Sequence, residues 1–268
     1  MYIEESKENH KLKEAKNIWK GLFDPFYPDT QRHWHLIRSS LSAVQACNPD
    51  NLLTLGDNTG RDAAFFKRYL YNNPKIISSD LDSQNLNQVK KMGFIDEYID
   101  CDVEKIPYPD NSIDVIVGKE TYHHWPRPML GLYECLRVAK KLVILIEPHD
   151  DPREVYKPPY PKGDEFRNNY EKIGNYKYCV SIREFEKVIS ALYLPGLLLK
   201  GINDPYEMNQ DFEEYLKKYN HLQKLAEEGK RHFNLMMIGI PKNQDIYSTL
   251  ENLKKYHSLK RAINPYKE

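Results

Sequence analysis

The chain has 268 residues, 40% of them hydrophobic, and its 39 Lys and Arg balance 39 Asp and Glu to a formal net charge of zero. That balance is unlike the basic surplus of a nucleic-acid binder, and no apolar run approaches the ~20 residues of a membrane-spanning helix. Cys47, Cys101, Cys135 and Cys179 form no CxxC pair, and the opening MYIEESKENHK lacks a signal peptide's apolar region, so free thiols in a cytoplasmic protein are expected.

Residues 6–22 and 31–47 read as helices, the second following DPFYPD and placing Trp34, Leu36, Ile37, Leu41 and Val44 at helical spacing. Short apolar strands then begin at Leu52, Lys75, Glu97, Ile113 and Leu142, with helical segments after Gly60, over 83–92 and over 129–141. Such alternation predicts right-handed crossovers and a parallel sheet. From Asp150 to Lys177 the pattern dissolves into a stretch rich in proline and tyrosine, including Tyr156 and Tyr160, which reads as a lid or binding loop. Ser181 and Glu184 then make a capping box ahead of Phe185, Val188, Ile189 and Leu192. Strands near 197–202 and 233–240 flank a polar helix around 212–228, and the tail from Asn243 reads as a further polar helix ending near Pro265.

The first strand runs into the turn GDNTG, where Gly56 and Gly60 let the backbone approach a ligand before a helix begins. Asp80 follows the second strand about 20 residues later, the place where a carboxylate accepts hydrogen bonds from ribose hydroxyls. An adenosine-type ligand is therefore expected. Further on come Asp102-Val103-Glu104-Lys105-Ile106-Pro107 and Ser112-Ile113-Asp114.

These ordered motifs, over roughly Asn51 to Pro148, resemble the class I S-adenosylmethionine-dependent methyltransferases, with their glycine-rich first loop, D-x-E-x-(I/L)-P segment and following S-(F/I)-D strand. The resemblance implies S-adenosylmethionine as cofactor, its methionine part on Gly56, Asp57, Asn58 and Gly60. Asp80 is then expected at the ribose and Asp102 with Val103 at the adenine, and Leu81 and Lys119 are also expected to bind the cofactor. Two positions depart from the family pattern. Thr54 stands where an acid ends the first strand, and Asn58 stands for the central glycine, where its tolerance of positive φ keeps the loop's shape. Asp57 replaces the missing carboxylate if it points inward.

The run Lys119-Glu120-Thr121-Tyr122-His123-His124-Trp125 leaves the fourth strand at the carboxyl edge, where ligands bind in open parallel sheets. Methyl transfer to a hydroxyl needs alignment and a base, which makes His124, His123 and His149 the candidates, with His124 favoured by the family pattern. Tyr122, Trp125, Tyr156 and Tyr160 are the expected acceptor wall. No local ligand motif joins the histidines and acids, and no metal is expected.

The reading is thus one α/β domain with a Rossmann-like, seven-stranded, mostly parallel sheet and helices on both faces. Residues 1–48 form an N-terminal helical cap, 49–150 the cofactor half, 151–180 a lid, 181–242 the substrate half and 243–268 a helical tail. Expected activity is O-methylation of a small polar acceptor such as a sugar or a sugar-containing metabolite, with no nucleic-acid or membrane partner. N-methylation or another small-molecule methyl transfer is the alternative within that class. Thr54 and Asn58 also leave open an inactive cofactor-binding protein, whereas GDNTG lacks the G-x-G-x-x-G spacing of nicotinamide enzymes.

Overall fold

A computed structural model describes residues 28–149, 179–205 and 211–261. Helix α1 (Pro28–Cys47) precedes strand β1 (Asn51–Leu55), and then α2 (Arg61–Tyr69), β2 (Lys75–Asp80), α3 (Gln84–Lys91) and β3 (Glu97–Asp100) alternate. Strand β4 (Ile113–Lys119), α4 (Pro128–Val138) and β5 (Ala139–Pro148) complete the parallel half. After the described chain resumes come α5 (Ile182–Ala191), β6 (Gly196–Ile202), α6 (Phe212–Glu227), β7 (Leu235–Pro241), α7 (Gln244–Glu251) and β8 (His257–Lys260).

The strands form one eight-stranded sheet in the order β3-β2-β1-β4-β5-β7-β6-β8. Pairings from β3 across to β5 are parallel, whereas β7 is antiparallel to both β5 and β6, and β8 is antiparallel to β6. The expected seven strands therefore become eight. The predicted tail helix stops at Glu251 because the chain turns back to lay His257–Lys260 along β6, leaving Pro265 outside the described residues.

Successive side chains on a strand point to opposite faces, and the two cores follow that alternation. Leu52, Val115, Leu142 and Ile144 face α1, α2, α3 and α7, meeting Trp34, Ile37, Phe65, Val89 and Leu250. Leu53, Ile116, Val143 and Leu145 face α4 and α5, meeting Leu132, Leu136, Phe185 and Val188. Because both faces are covered, the central strands read as continuous apolar runs. The Ser181–Glu184 capping box forms as expected at the start of α5. Among the described residues no helix is long and apolar enough to cross a membrane.

The parallel order reverses between β1 and β4, so the chain leaves these neighbours in opposite directions and opens a crevice at their carboxyl ends. Helix α1 packs against α2 and lies along that crevice, which makes it a roof rather than a separate cap.

Candidate active site

A cavity of about 420 Å³ occupies the crevice. Its floor is the β1–α2 turn from Gly56 to Thr59 together with Arg61 and Asp62, its side is Lys119, Glu120, His123 and His124 after β4, Pro148 closes the end of β5, and Arg32 and His33 descend from α1.

The turn is shaped by two left-handed glycines, Gly56 at φ 62° and Gly60 at φ 67°. At Gly56 an added Cβ would lie 2.0 Å from Thr121 Oγ1, so only glycine lets the β1 and β4 turns touch. Asn58 does not take up positive φ, contrary to expectation; instead its Oδ1 accepts from Asn85 Nδ2 at 2.6 Å. Asp57 does point inward. It is 4% exposed, and its carboxylate accepts from Thr54 Oγ1 (2.9 Å), Ser78 Oγ (3.0 Å), Asp62 N (3.1 Å) and Ala63 N (2.9 Å). Four donors nearly exhaust a carboxylate's acceptor sites, so Asp57 ties β1, β2 and the start of α2 together. Thr54 belongs to this knot as a donor, which gives the departure at that position a structural role. Burial nonetheless pushes the Asp57 carboxyl upward against those bonds.

Asp80 ends β2 beside the turn, since Asp57 N donates to Ser79 O at 2.9 Å. It is half-buried, burial raises its pKa, and its carboxylate accepts from the backbone of Leu81 and, at 3.3 Å, from Asp82 N. Next to it the apolar side chain of Leu81 is 76% exposed. Asp102 caps the short helical turn Val103–Lys105 through Glu104 N, and Val103 packs into the second core. Asp80, Leu81, Asp102 and Val103 lie along the adjoining strand ends and do not line the cavity itself.

Lys119 is buried, with Nζ 3.0 Å from His33 Nδ1, 3.5 Å from Glu120 and 3.7 Å from Asp62. Burial opposes its charge, but the neighbouring Asp62 and Glu120 outweigh it and raise its pKa. Burial, reinforced by Lys119, Arg61 and Arg32, pushes His33 well below its usual range, so its neutral ring accepts from Lys119. Arg32 is held from behind by a bidentate, buried pairing with Asp204.

On the acceptor side, Glu147 is fully buried at the end of β5. Its Oε1 accepts from Thr121 N (2.8 Å) and Tyr122 N (2.9 Å), and its Oε2 lies 2.6 Å from His123 Nδ1. With a proton on Nδ1 facing the carboxylate, Nε2 is the ring's acceptor. His124 is exposed on the cavity rim, its ring 4.0 Å from that of His123. His149 is set apart, pointing Nδ1 at Phe233 O (3.3 Å), and it does not line the cavity.

Tyr122 and Trp125 do not form an acceptor wall. Tyr122 is 0% and Trp125 6% exposed; they pack on each other and on the second core, and Trp125 Nε1 donates to Thr121 Oγ1. Burying these rings is what fixes the turn carrying both histidines. Tyr156 and Tyr160 lie outside the described residues. Arg32, His33, Arg61 and Asp62 are additions that the sequence reading did not place at the site, since the charges of α1 looked like a solvated helix face.

Residues 53–146 match the family model described as "Methyltransferase domain". The curated ubiquinone/menaquinone biosynthesis C-methyltransferase UbiE of Pseudomonas putida is 25% identical over 124 residues, which is 42% of this chain; the chain spans about half of that relative, 47% of its length. Among solved structures, the YcgJ protein of Bacillus subtilis aligns over 78% of this chain and 99% of its own at 17% identity and a TM-score of 0.57. The plantazolicin methyltransferase BpumL, solved with SAH, aligns over 88% and 99% at 15% identity and a TM-score of 0.50. Residues 53–146 thus match a methyltransferase domain, and the chain shares its fold with these solved structures.

Proposed function

We propose that this methyltransferase domain transfers the methyl group of S-adenosylmethionine to an oxygen of a small, hydroxyl-rich acceptor such as a sugar or a sugar-containing metabolite. The observation that carries the reading is the His123–Glu147 pair, with Nδ1 2.6 Å from the carboxylate, in the wall of the cavity that the glycine turn floors. A hydroxyl is too weakly acidic to attack a sulfonium methyl without losing its proton, and a histidine oriented by a carboxylate is suited to take it. In that step His123 Nε2 accepts the acceptor's proton, the oxygen bonds to the methyl carbon, and the donor leaves as the thioether. Of the two histidines on the turn, His123 rather than His124 takes this role because it alone is backed by the buried acid.

The donor suits the residues present. The turn from Gly56 offers backbone close to the cavity, Asp80 has acceptor capacity for ribose hydroxyls, and the exposed Leu81 supplies an apolar surface for a purine. S-adenosylmethionine contributes the electrophilic methyl when bound; the chain contributes alignment, proton removal and exclusion of water. The charged cavity lining, which includes Arg32 and His124, favours a polar acceptor over an apolar one. Incubation with methyl-labelled S-adenosylmethionine and a panel of sugars, nucleoside sugars and amines tests the reading. Label in an ether supports it, label in an amine favours N-methylation, and no transfer despite tight donor binding means a binding protein.

A further inference from the structure

The donor proposed above ends in an α-amino acid, with one carboxylate and one ammonium, and this inference rests on that reading. Arg61, the first residue of α2, is 8% exposed and lines the cavity. Its Nη1 donates to Asp29 Oδ2 at 2.8 Å, but its buried Nε has no hydrogen-bond partner among the described residues. A guanidinium offers Nε and its neighbouring Nη as a fork matched to a carboxylate, and a buried N–H left unanswered costs free energy. The side chain is therefore half used, at a position that lines the cavity.

Glu120 is its counterpart. It holds a left-handed backbone at φ 51°, a conformation a non-glycine residue adopts at a cost and one that recurs at functional sites. Its carboxylate stands 3.5 Å from Lys119 Nζ, 3.8 Å from Arg32 Nη2 and 3.9 Å from His33 Nδ1. Each contact exceeds the ~2.7–2.9 Å of a charge-assisted hydrogen bond. The surrounding cations, Lys119 and Arg32 first, overcome burial and keep the group ionised. The other two acids on the cavity floor are less suited. Asp57 is occupied by four protein donors, and burial pushes Asp62 up to about 7, leaving it partly protonated near neutral pH.

Two side chains of α1 span the gap. Asp29 bonds Arg61 at 2.8 Å, His33 Nε2 is 3.5 Å from Asp29 Oδ1, and His33 Nδ1 is 3.9 Å from Glu120. We propose that Arg61 and Glu120 form a clamp for the donor's amino-acid end, Arg61 binding the carboxylate and Glu120 the ammonium, in place of an acid at position 54. The clamp selects for a donor or product that carries the complete amino acid.

Calorimetry with three probes tests this: S-adenosylhomocysteine, 5′-methylthioadenosine, which lacks both charged groups, and S-adenosyl-3-thiopropylamine, which lacks only the carboxylate. Wild type should bind S-adenosylhomocysteine ~100-fold or more tighter than 5′-methylthioadenosine. Arg61→Gln should weaken S-adenosylhomocysteine by ~30-fold while leaving the other two within about twofold, and Arg61→Lys should recover only part of the loss. Glu120→Gln should weaken both ammonium-bearing probes by ~10-fold or more and spare 5′-methylthioadenosine. Retained 5′-methylthioadenosine binding also shows that each variant is folded. Equal weakening of all probes, or no weakening of S-adenosylhomocysteine, overturns the clamp. If wild type binds none of the probes, the donor reading fails and the clamp with it.

Discussion

Glu147 Oε2 and His123 Nδ1 are 2.6 Å apart, although the two residues come from different strand ends and both are buried. The same carboxylate holds the backbone of the turn through Thr121 and Tyr122, so ring and turn are oriented by one group.

His123→Ala should reduce methyl transfer by ~100-fold or more while S-adenosylhomocysteine affinity changes by less than about threefold, because only the transition state needs the proton removed. Glu147→Gln should produce most of that loss, because it removes the carboxylate that orients the ring. Rate measurements with whichever labelled acceptor is found, between pH 5 and 9, check both. His124→Ala should cost less than His123→Ala; the reverse order would transfer the role of base to His124.

Asp80→Ala should weaken S-adenosylhomocysteine binding by more than ~10-fold without lowering the unfolding midpoint, since it removes charge-assisted bonds of roughly 1.5–3 kcal/mol. Asp80 is half-buried and bonds only to the adjoining backbone of Leu81 and Asp82. Calorimetry and urea unfolding measure the two effects separately, and unchanged affinity would remove Asp80 from the ribose site.

Asp204→Asn should destabilise the fold by about 3–5 kcal/mol, because it strands the buried Arg32 guanidinium without its counter-ion. Arg32→Met combined with Asp204→Leu should recover much of that stability while impairing the cavity Arg32 lines. Urea titration gives the first result and S-adenosylhomocysteine titration the second; similar stability of Asp204→Asn and wild type would contradict the buried pairing.

His35 is packed edge-on against Tyr219 at 4.4 Å, and burial followed by the Arg38 charge lowers its pKa to about 4. Between pH ~6.5 and ~4 the unfolded chain takes up a proton that the fold resists, so this contribution to stability is complete above pH ~6.5 and is lost as pH falls. Asp62, raised to about 7 by burial, acts with the opposite sign over an overlapping range, reducing stability as pH rises from about 4. The comparison must therefore be between variants. His35→Phe should lose on the order of 2 kcal/mol less than wild type between pH 7 and pH 4.5 in urea unfolding; parallel losses would mean that His35 charges freely in the fold.

Much of the architecture was legible because both faces of the parallel strands are buried, turning Leu52–Leu55, Ile113–Val117 and Leu142–Ile146 into apolar runs interrupted only by Thr54 and Asp114. Strand β8 was not legible: His257–Lys260 is a short polar edge segment whose pairing depends on β6 rather than on its own pattern. The glycine turn and the two histidines stood out at their positions, but their surroundings depend on contacts remote in sequence. Arg32 finds Asp204 across 172 positions, and His123 finds Glu147 across 24. Tyr122 and Trp125 were misread for the complementary reason, since large rings beside a reactive turn look alike in sequence whether they face a ligand or the core.

Two walls of the cavity come from segments on either side of residue 50, and the roof donates Asp29, Arg32 and His33 from a helix that precedes the family-matched span 53–146. A gene fragment trimmed to that span would encode the floor without the roof. Replacing α1 alone should accordingly change ligand preference, because Arg32 and His33 reach the cavity from a helix outside that span.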